Sequence, residues 1–200
     1  MTLSPPRAIP SSPSTDVDGN EYIDYWVANG TMFMGHANPK VAAAVEAVLK
    51  RGTHFGGSHD LIAKLAAKVI ELVPSAELVR FTNSGSEAAA HSLRIARAYT
   101  RLRKIARFEG TFHGIVDGLY VGFRSPFEGP DCDGIPPSAY ADTLICPYND
   151  IERTAEILRH HRDDLAGVIL EPISGAIPAE PTFLQGLRDP AAFHQLLIEV

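Results

Sequence analysis

Leu165-Ala166-Gly167-Val168-Ile169-Leu170-Glu171-Pro172 decides the fold. Six residues run on without a charge and without alternation, and a carboxylate and a proline close them. A strand with one wet face alternates polar and apolar side chains. An unbroken apolar run marks a strand buried on both faces, as in parallel sheets covered by helices. Working upstream, Thr143 to Cys146 predicts a second strand. Between the two, Asn149 with Glu152 predicts a capping box opening a helix to about His160. Ile105 to Phe108 predicts a third strand, followed by the loop Glu109-Gly110-Thr111-Phe112-His113-Gly114. Before it, a helix from about Glu87 to Tyr99 is rich in Ala, Leu and Arg, and Leu78 to Thr82 predicts a short strand. Downstream, Phe183 to His194 predicts a helix interrupted by Pro190, and Leu196 to Ile198 begins another buried strand. Arg124 to Pro137, rich in Gly, Pro and Asp, predicts a loop. This alternation of strands and helices predicts an α/β fold around a mostly parallel sheet.

The first third follows other rules. Residues 1–15 are rich in Pro and Ser and predict a flexible tail. Asp16 to Trp26 predicts a hairpin turning at Asp18-Gly19 or Gly19-Asn20, and Asn29-Gly30 is a second turn signal. Asn38-Pro39 predicts an N-cap and first helical residue; Val41, Ala44, Val45, Val48 and Leu49 share one face, and Gly52 ends the helix. Ser58 predicts the cap of a second helix with a stripe of Leu61, Ile62, Leu65, Val69 and Leu72, stopped by Pro74. The expected organisation is a tail over 1–15, a segment of hairpin and helices over 16–75, and an α/β domain over 76–200.

Composition narrows the function classes. The 200 residues carry a net charge of −6, which argues against nucleic acid or an anionic membrane as partner, since both want clustered Lys and Arg. No apolar run is long enough to span a bilayer, and the N-terminus has no apolar core of a secretory signal. Cys132 and Cys146 are too few for a disulfide framework and lack metal-type spacing; they could pair with each other, and they are expected as buried free thiols of a reducing cytoplasm. His36, His54 and His59 have no acidic or Cys partners at metal spacing, so no metal set is expected.

Three strand ends carry chemistry. Asn83-Ser84-Gly85-Ser86-Glu87 lies between a strand and a helix. A helix start offers unpaired N–H groups and the positive end of a dipole, which suits a phosphate; Ser84 and Ser86 add hydroxyls, and Gly85 allows close approach. The same residues also read as a plain helix cap. The segment is neither a Walker A loop nor a dinucleotide fingerprint, since no Gly-Lys-Ser/Thr follows and G-x-G-x-x-G is absent. Phe112 in Phe112-His113-Gly114 could stack on a planar ring or pack beneath its loop, and His113 could serve a ligand or the loop alone. Glu171, fixed by Pro172 at its strand end, reads equally as a site carboxylate or a turn partner.

In order and spacing these pieces resemble a family. Asp-Val-Asp-Gly-Asn-Glu-Tyr-Ile-Asp-Tyr (16–25), Gly-His-Ala-Asn-Pro (35–39) and Arg-Phe-Thr-Asn-Ser-Gly-Ser-Glu-Ala (80–88) come first. Ala-Arg-Ala-Tyr-Thr (96–100), Phe-Glu-Gly-Thr-Phe-His-Gly (108–114) and Val-Ile-Leu-Glu-Pro (168–172) follow. Together they resemble the class III pyridoxal-phosphate-dependent aminotransferases of fold type I, and among them the glutamate-1-semialdehyde aminomutases and β-amino-acid transaminases. The resemblance implies a fold type I α/β architecture, with an N-terminal segment and the first half of the large cofactor domain. It implies pyridoxal 5'-phosphate as cofactor, an amino-acid or amino-aldehyde substrate, and amino-group transfer. It assigns Ser84, Gly85 and Ser86 to the cofactor phosphate, Phe112 to the face of the pyridine ring with His113 beside it, and Glu171 to the lining of the site. It implies a homodimer for a complete protein, located in the cytoplasm. The family's Phe-Asp-Glu-Val motif corresponds here to Leu196-Leu197-Ile198-Glu199-Val200, without its Asp. None of Lys40, Lys50, Lys64, Lys68 and Lys104 stands at the position of the lysine that forms the Schiff base, so no catalytic residue is assigned. The expectation is a truncated chain, inactive alone. The alternatives are a non-catalytic remnant and a module that binds a phosphorylated ligand.

Overall fold

The computed structural model describes residues 3–4, 13–175, 177–188 and 196–199, and the chain divides into two units, Met1–Val79 and Arg80–Val200. In the first unit, β1 (Leu3–Ser4), β2 (Pro13–Asp16) and β3 (Glu21–Ile23) form an antiparallel sheet in that order. Within the expected tail over 1–15, residues 3–4 and 13–15 are laddered, and the remainder lies outside the described residues. Asp16 closes the turn from β2 to β3: its carboxylate accepts from Asp18 N at 3.0 Å, Asn20 N at 2.9 Å and Tyr22 Oη at 3.0 Å. Gly19, at φ +87°, takes the left-handed position of the turn.

Beyond the sheet, Val27, Ala28, Asn29 and Gly30 all have positive φ. Asp24 holds this left-handed turn by accepting from Trp26 N and Val27 N at 2.8 and 2.9 Å, and its other oxygen meets His36 Nε2 at 2.6 Å. The His36 contact leads the causes that bring the Asp24 carboxyl down to about 2.

Helix α1 (Pro39–Leu49) starts as its sequence predicts, with Asn38 Oδ1 accepting from Lys40 N at 3.0 Å. Helix α2 (Asp60–Leu72) is capped by His59 without a side-chain hydrogen bond, so Ser58 is not its cap. Neither helix has a buried residue.

The second unit holds a parallel sheet in the order β5-β4-β6-β9, from β4 (Lys104–Phe108), β5 (Thr143–Cys146), β6 (Leu165–Leu170) and β9 (Leu196–Glu199). Every residue of β6 is buried. Helix α3 (Gly85–Thr100) covers one face, where Ala89, Leu93 and Ala96 pack with Ile105, Ala166 and Ile169. On the other face, α5 (Ile151–His160) and α6 (Pro181–Arg188) bring Leu158, Phe183 and Leu187 onto Ala106, Phe108, Val168 and Leu170. The Phe183 ring meets Phe108 edge-on at 5.2 Å between centroids. Burying such a ring contributes about 2–3 kcal/mol. Short elements complete the unit: α4 (Pro137–Tyr140), and β7 (Ile173–Ser174) paired with β8 (Ile177–Pro178).

Three expectations are corrected and a fourth, the last helix, is met in part. Leu78 to Thr82 is not a strand: no described backbone pairs with it, and Leu78 is 93 % exposed. The cap of α5 is Asp150, which accepts from Arg153 N at 3.0 Å, because Asn149 sits at φ +61° and uses its amide on Pro178 O and Glu180 N. The last helix spans Pro181–Arg188, and the remainder of the expected Phe183–His194 span, with Pro190, lies outside the described residues. Cys132 is exposed, and only Cys146 is buried; burial pushes the Cys146 thiol up to about 12. No described helix is long and apolar enough to cross a membrane.

Candidate cofactor site

Parallel strands deliver their following loops to one edge of a sheet, and ligands of open α/β folds lie beyond the strands' C-terminal ends. Here β4 releases residues 109–115 and β6 releases Glu171 at that edge. Two hydrogen bonds tie the pieces together. Ser86 Oγ accepts from Ile115 N at 3.1 Å, joining the start of α3 to the loop after β4. Glu171 Oε2 accepts from Phe112 N at 3.2 Å, joining that loop to the end of β6.

Ser84, Gly85, Ser86, Phe112, His113 and Glu171 all lie on the three segments that these bonds join. Ser84 caps α3, its Oγ accepting from Glu87 N at 3.2 Å, while the Glu87 carboxylate accepts from Asn83 N at 2.7 Å. The N–H groups of Gly85 and Ser86 have no acceptor within the helix. A Cβ built on Gly85 would meet nothing within 4 Å, so space lies open at the first turn. A Cβ on Gly114 (φ +81°) would lie 2.3 Å from Ser86 Oγ; glycine is what lets loop and helix touch. Phe112 is 44 % exposed, its ring supported from the side by Tyr120 and Phe123. His113 is 2 % exposed: its Nε2 meets Thr111 Oγ1 at 3.0 Å, and its Nδ1 is buried without a partner. Burial first, then the nearby Arg107 guanidinium, push the imidazole down to about 3, so it is neutral at physiological pH.

Two further residues serve the cluster and were missed in the sequence. Tyr148 Oη donates to the Glu171 carbonyl at 3.0 Å and steadies the end of β6. Arg107 is fully buried under the loop after β4, and burial lowers it to about 10 against the opposing pull of Asp131 and Glu171. Its signal was there to read: a lone arginine in Lys104-Ile105-Ala106-Arg107-Phe108, inside a strand with no wet face. Lys104, the one lysine of this unit, lies at the opposite end of β4, with Asp164 at 3.2 Å.

A parallel sheet with helices on both faces and an anion-ready helix start beside an exposed aromatic define a fold type I transferase architecture. The family model of class-III aminotransferases matches residues 12–199, and the chain belongs to that family. It is 44 % identical over 180 residues to the glutamate-1-semialdehyde 2,1-aminomutase of Clostridium novyi (strain NT), covering 87 % of this chain and 42 % of that protein. The glutamate-1-semialdehyde 2,1-aminomutase 2 of Geobacillus kaustophilus (strain HTA426) is likewise 44 % identical over 180 residues, with the same coverage. Among solved structures, an ω-transaminase from Sphaerobacter thermophilus superposes with a TM-score of 0.89 at 34 % identity, over 98 % of this chain and 47 % of that one. A β-phenylalanine aminotransferase from Variovorax paradoxus gives 0.84 at 32 %, over 99 % and 44 %. The chain thus spans about two fifths of the length of the curated relatives it matches.

Proposed function

We propose that this chain holds pyridoxal 5'-phosphate at the strand-end cluster, as part of a protein that transfers an amino group on an amino acid or amino aldehyde in the manner of a glutamate-1-semialdehyde aminomutase. The observation that carries this reading is the junction of three separate segments, Ser84–Ser86, Phe112–Ile115 and Glu171, by the two hydrogen bonds above. The donor chemistry fits the cofactor. Free N–H groups of Gly85 and Ser86 at the positive end of a 16-residue helix suit a phosphate dianion, and the hydroxyls of Ser84 and Ser86 each keep a proton to donate. Phe112 offers an exposed aromatic face for a pyridine ring. His113 contributes a neutral acceptor, and Glu171 fixes the loop that carries both. When bound, the cofactor supplies an aldehyde that takes up an amine and a ring that withdraws electrons.

In this reading residues 76–200 form part of the cofactor domain and 16–75 a segment preceding it. The one lysine of the unit that carries the cluster, Lys104, lies at the opposite end of β4, so this unit's own contribution is grip and orientation, and the expected outcome for the chain by itself is no turnover. Uncovered apolar side chains on α1, Val41, Val45 and Leu49, support a homodimer for the whole protein. The free thiols Cys132 and Cys146 support a cytoplasmic location.

Calorimetric titration with pyridoxal phosphate and with unphosphorylated pyridoxal tests the reading. Pyridoxal phosphate should bind far more tightly, Gly85→Val should abolish the difference, and Phe112→Ala should weaken binding by roughly 1–3 kcal/mol. Equal affinity of wild type and Gly85→Val would remove the helix start from the site.

A further inference from the structure

Arg107 is a full positive charge inside the protein, with no carboxylate at ion-pair distance among the described residues. Oxygens of the loop beyond its own strand compensate it. Nε and Nη2 donate to the Phe108 carbonyl at 3.3 and 3.0 Å. Nη1 donates to the carbonyls of Leu119 and Val121, and Nη2 shares its two protons among the Phe108 carbonyl, the Thr111 carbonyl and, at 3.0 Å, the Thr111 hydroxyl. One planar fork thus closes both ends of the loop that carries Phe112 and His113. A lysine, with a single nitrogen, cannot reach the same set of oxygens.

The Thr111 hydroxyl makes a second consequence countable. It has one proton and two lone pairs. Its Oγ1 lies 2.7 Å from the Phe108 carbonyl, which takes the proton. Arg107 Nη2, which can only donate, lies 3.0 Å away on the lone-pair side. The remaining contact, His113 Nε2 at 3.0 Å, must then be a donor. His113 is accordingly the Nε2–H tautomer, and the buried, unpartnered Nδ1 is a bare lone pair open to an N–H or O–H donor. The opposite tautomer would bury an orphaned N–H, the costlier arrangement.

We propose that Arg107 is the positioning residue of this site: its guanidinium closes the loop over 109–121 and, through Thr111, fixes His113 as a neutral acceptor beside Phe112. The link to a cofactor rests on the reading under Proposed function; the proton arrangement does not.

Nitrogen-15 NMR of the His113 ring in the full chain, followed against pH, reads the tautomer directly. Wild type should show protonated Nε2, bare Nδ1 and no titration between pH 8 and about 4. Thr111→Val should mix the tautomers and weaken pyridoxal-phosphate binding about tenfold, the equivalent of one lost hydrogen bond. Thr111→Ser, which keeps the hydroxyl, should restore both. Arg107→Lys should behave like Thr111→Val, with circular dichroism confirming the fold. An unchanged His113 signal in both Thr111→Val and Arg107→Lys would overturn the proposal, as would a wild-type ring with Nδ1 protonated. If wild type takes up no pyridoxal phosphate while Thr111→Val still releases the tautomer, the cofactor reading fails and the proton arrangement stands.

Discussion

The two units of this chain place apolar residues in opposite ways. In Arg80–Val200, two-sided burial of β4 and β6 gathers Leu93, Ile105, Phe108, Leu158, Leu170 and Phe183 into cores on both faces of the sheet. In Met1–Val79, the described buried residues are Ser14 and Asp16, and the apolar faces of α1 and α2 stay uncovered. Both helices are amphipathic and one is well capped. An amphipathic stripe is enough to shape a helix, whereas a core needs a second apolar surface laid against it. The second unit supplies that surface from its own sheet.

The sharpest way to break this contrast is truncation in each unit. Phe183→Ala should cost about 3–5 kcal/mol in urea unfolding, and Leu72→Ala on α2 should stay within about 0.5 kcal/mol. Comparable costs at the two sites would mean that α2 is covered after all.

Glycines with positive φ refine the comparison. Gly114 (φ +81°) and Gly19 (φ +87°) share a backbone conformation, but a Cβ at Gly114 would stand 2.7 Å from Ser86 Cα and at Gly19 would meet open space. Gly114→Ala should therefore cost about 3 kcal/mol and Gly19→Ala only about 1 kcal/mol, measured by thermal unfolding. Equal shifts would deny the close approach of loop and helix.

Titration separates the units more gently. His113 is lowered from 6.5 to about 3, so the unfolded chain binds a proton that the folded chain refuses between those values. Stability is therefore full above pH 6.5 and declines as pH falls toward 3, by about 1 kcal/mol between pH 6 and 5. Asp24 of the first unit is lowered from 3.8 to about 2; its contribution is intact above 3.8 and is lost as pH falls through about 2. His113→Gln should flatten the loss between pH 6 and 5 and leave the more acidic one. A slope that persists in His113→Gln would assign it elsewhere.

What could be read from the sequence follows the same divide. The strand at 165–170 was legible because two-sided burial leaves an unbroken apolar run, while 105–108 is interrupted by the buried Arg107 and 143–146 is only partly buried, so those two were legible as short apolar stretches between helices. Leu78 to Thr82 has comparable composition, but a strand exists only with a ladder partner, and composition does not name one. Asn149 misled because Asn and Asp cap equally well; only the long-range bonds to Pro178 and Glu180 commit Asn149 elsewhere. Ser84, Gly85, Ser86, Phe112, His113 and Glu171 were each visible as loop chemistry at element ends. Their convergence was visible only through the resemblance, since the bonds joining them span 29 and 59 residues. Arg107 was visible as a lone charge in a short strand but its role was not, because all but one of its acceptors are backbone carbonyls, which every sequence has everywhere.

The central claim, that the strand ends of the second unit receive a phosphorylated pyridine cofactor, is tested most directly by amide chemical-shift mapping during titration with pyridoxal phosphate. The account predicts saturable shifts at Gly85, Ser86, Phe112, His113 and Ile115, of which inorganic sulfate at the same concentration reproduces at most those at Gly85 and Ser86. Shifts centred on Lys40, Lys50, Lys64 and Lys68, with the amides of Gly85 and Ser86 unchanged, would contradict it.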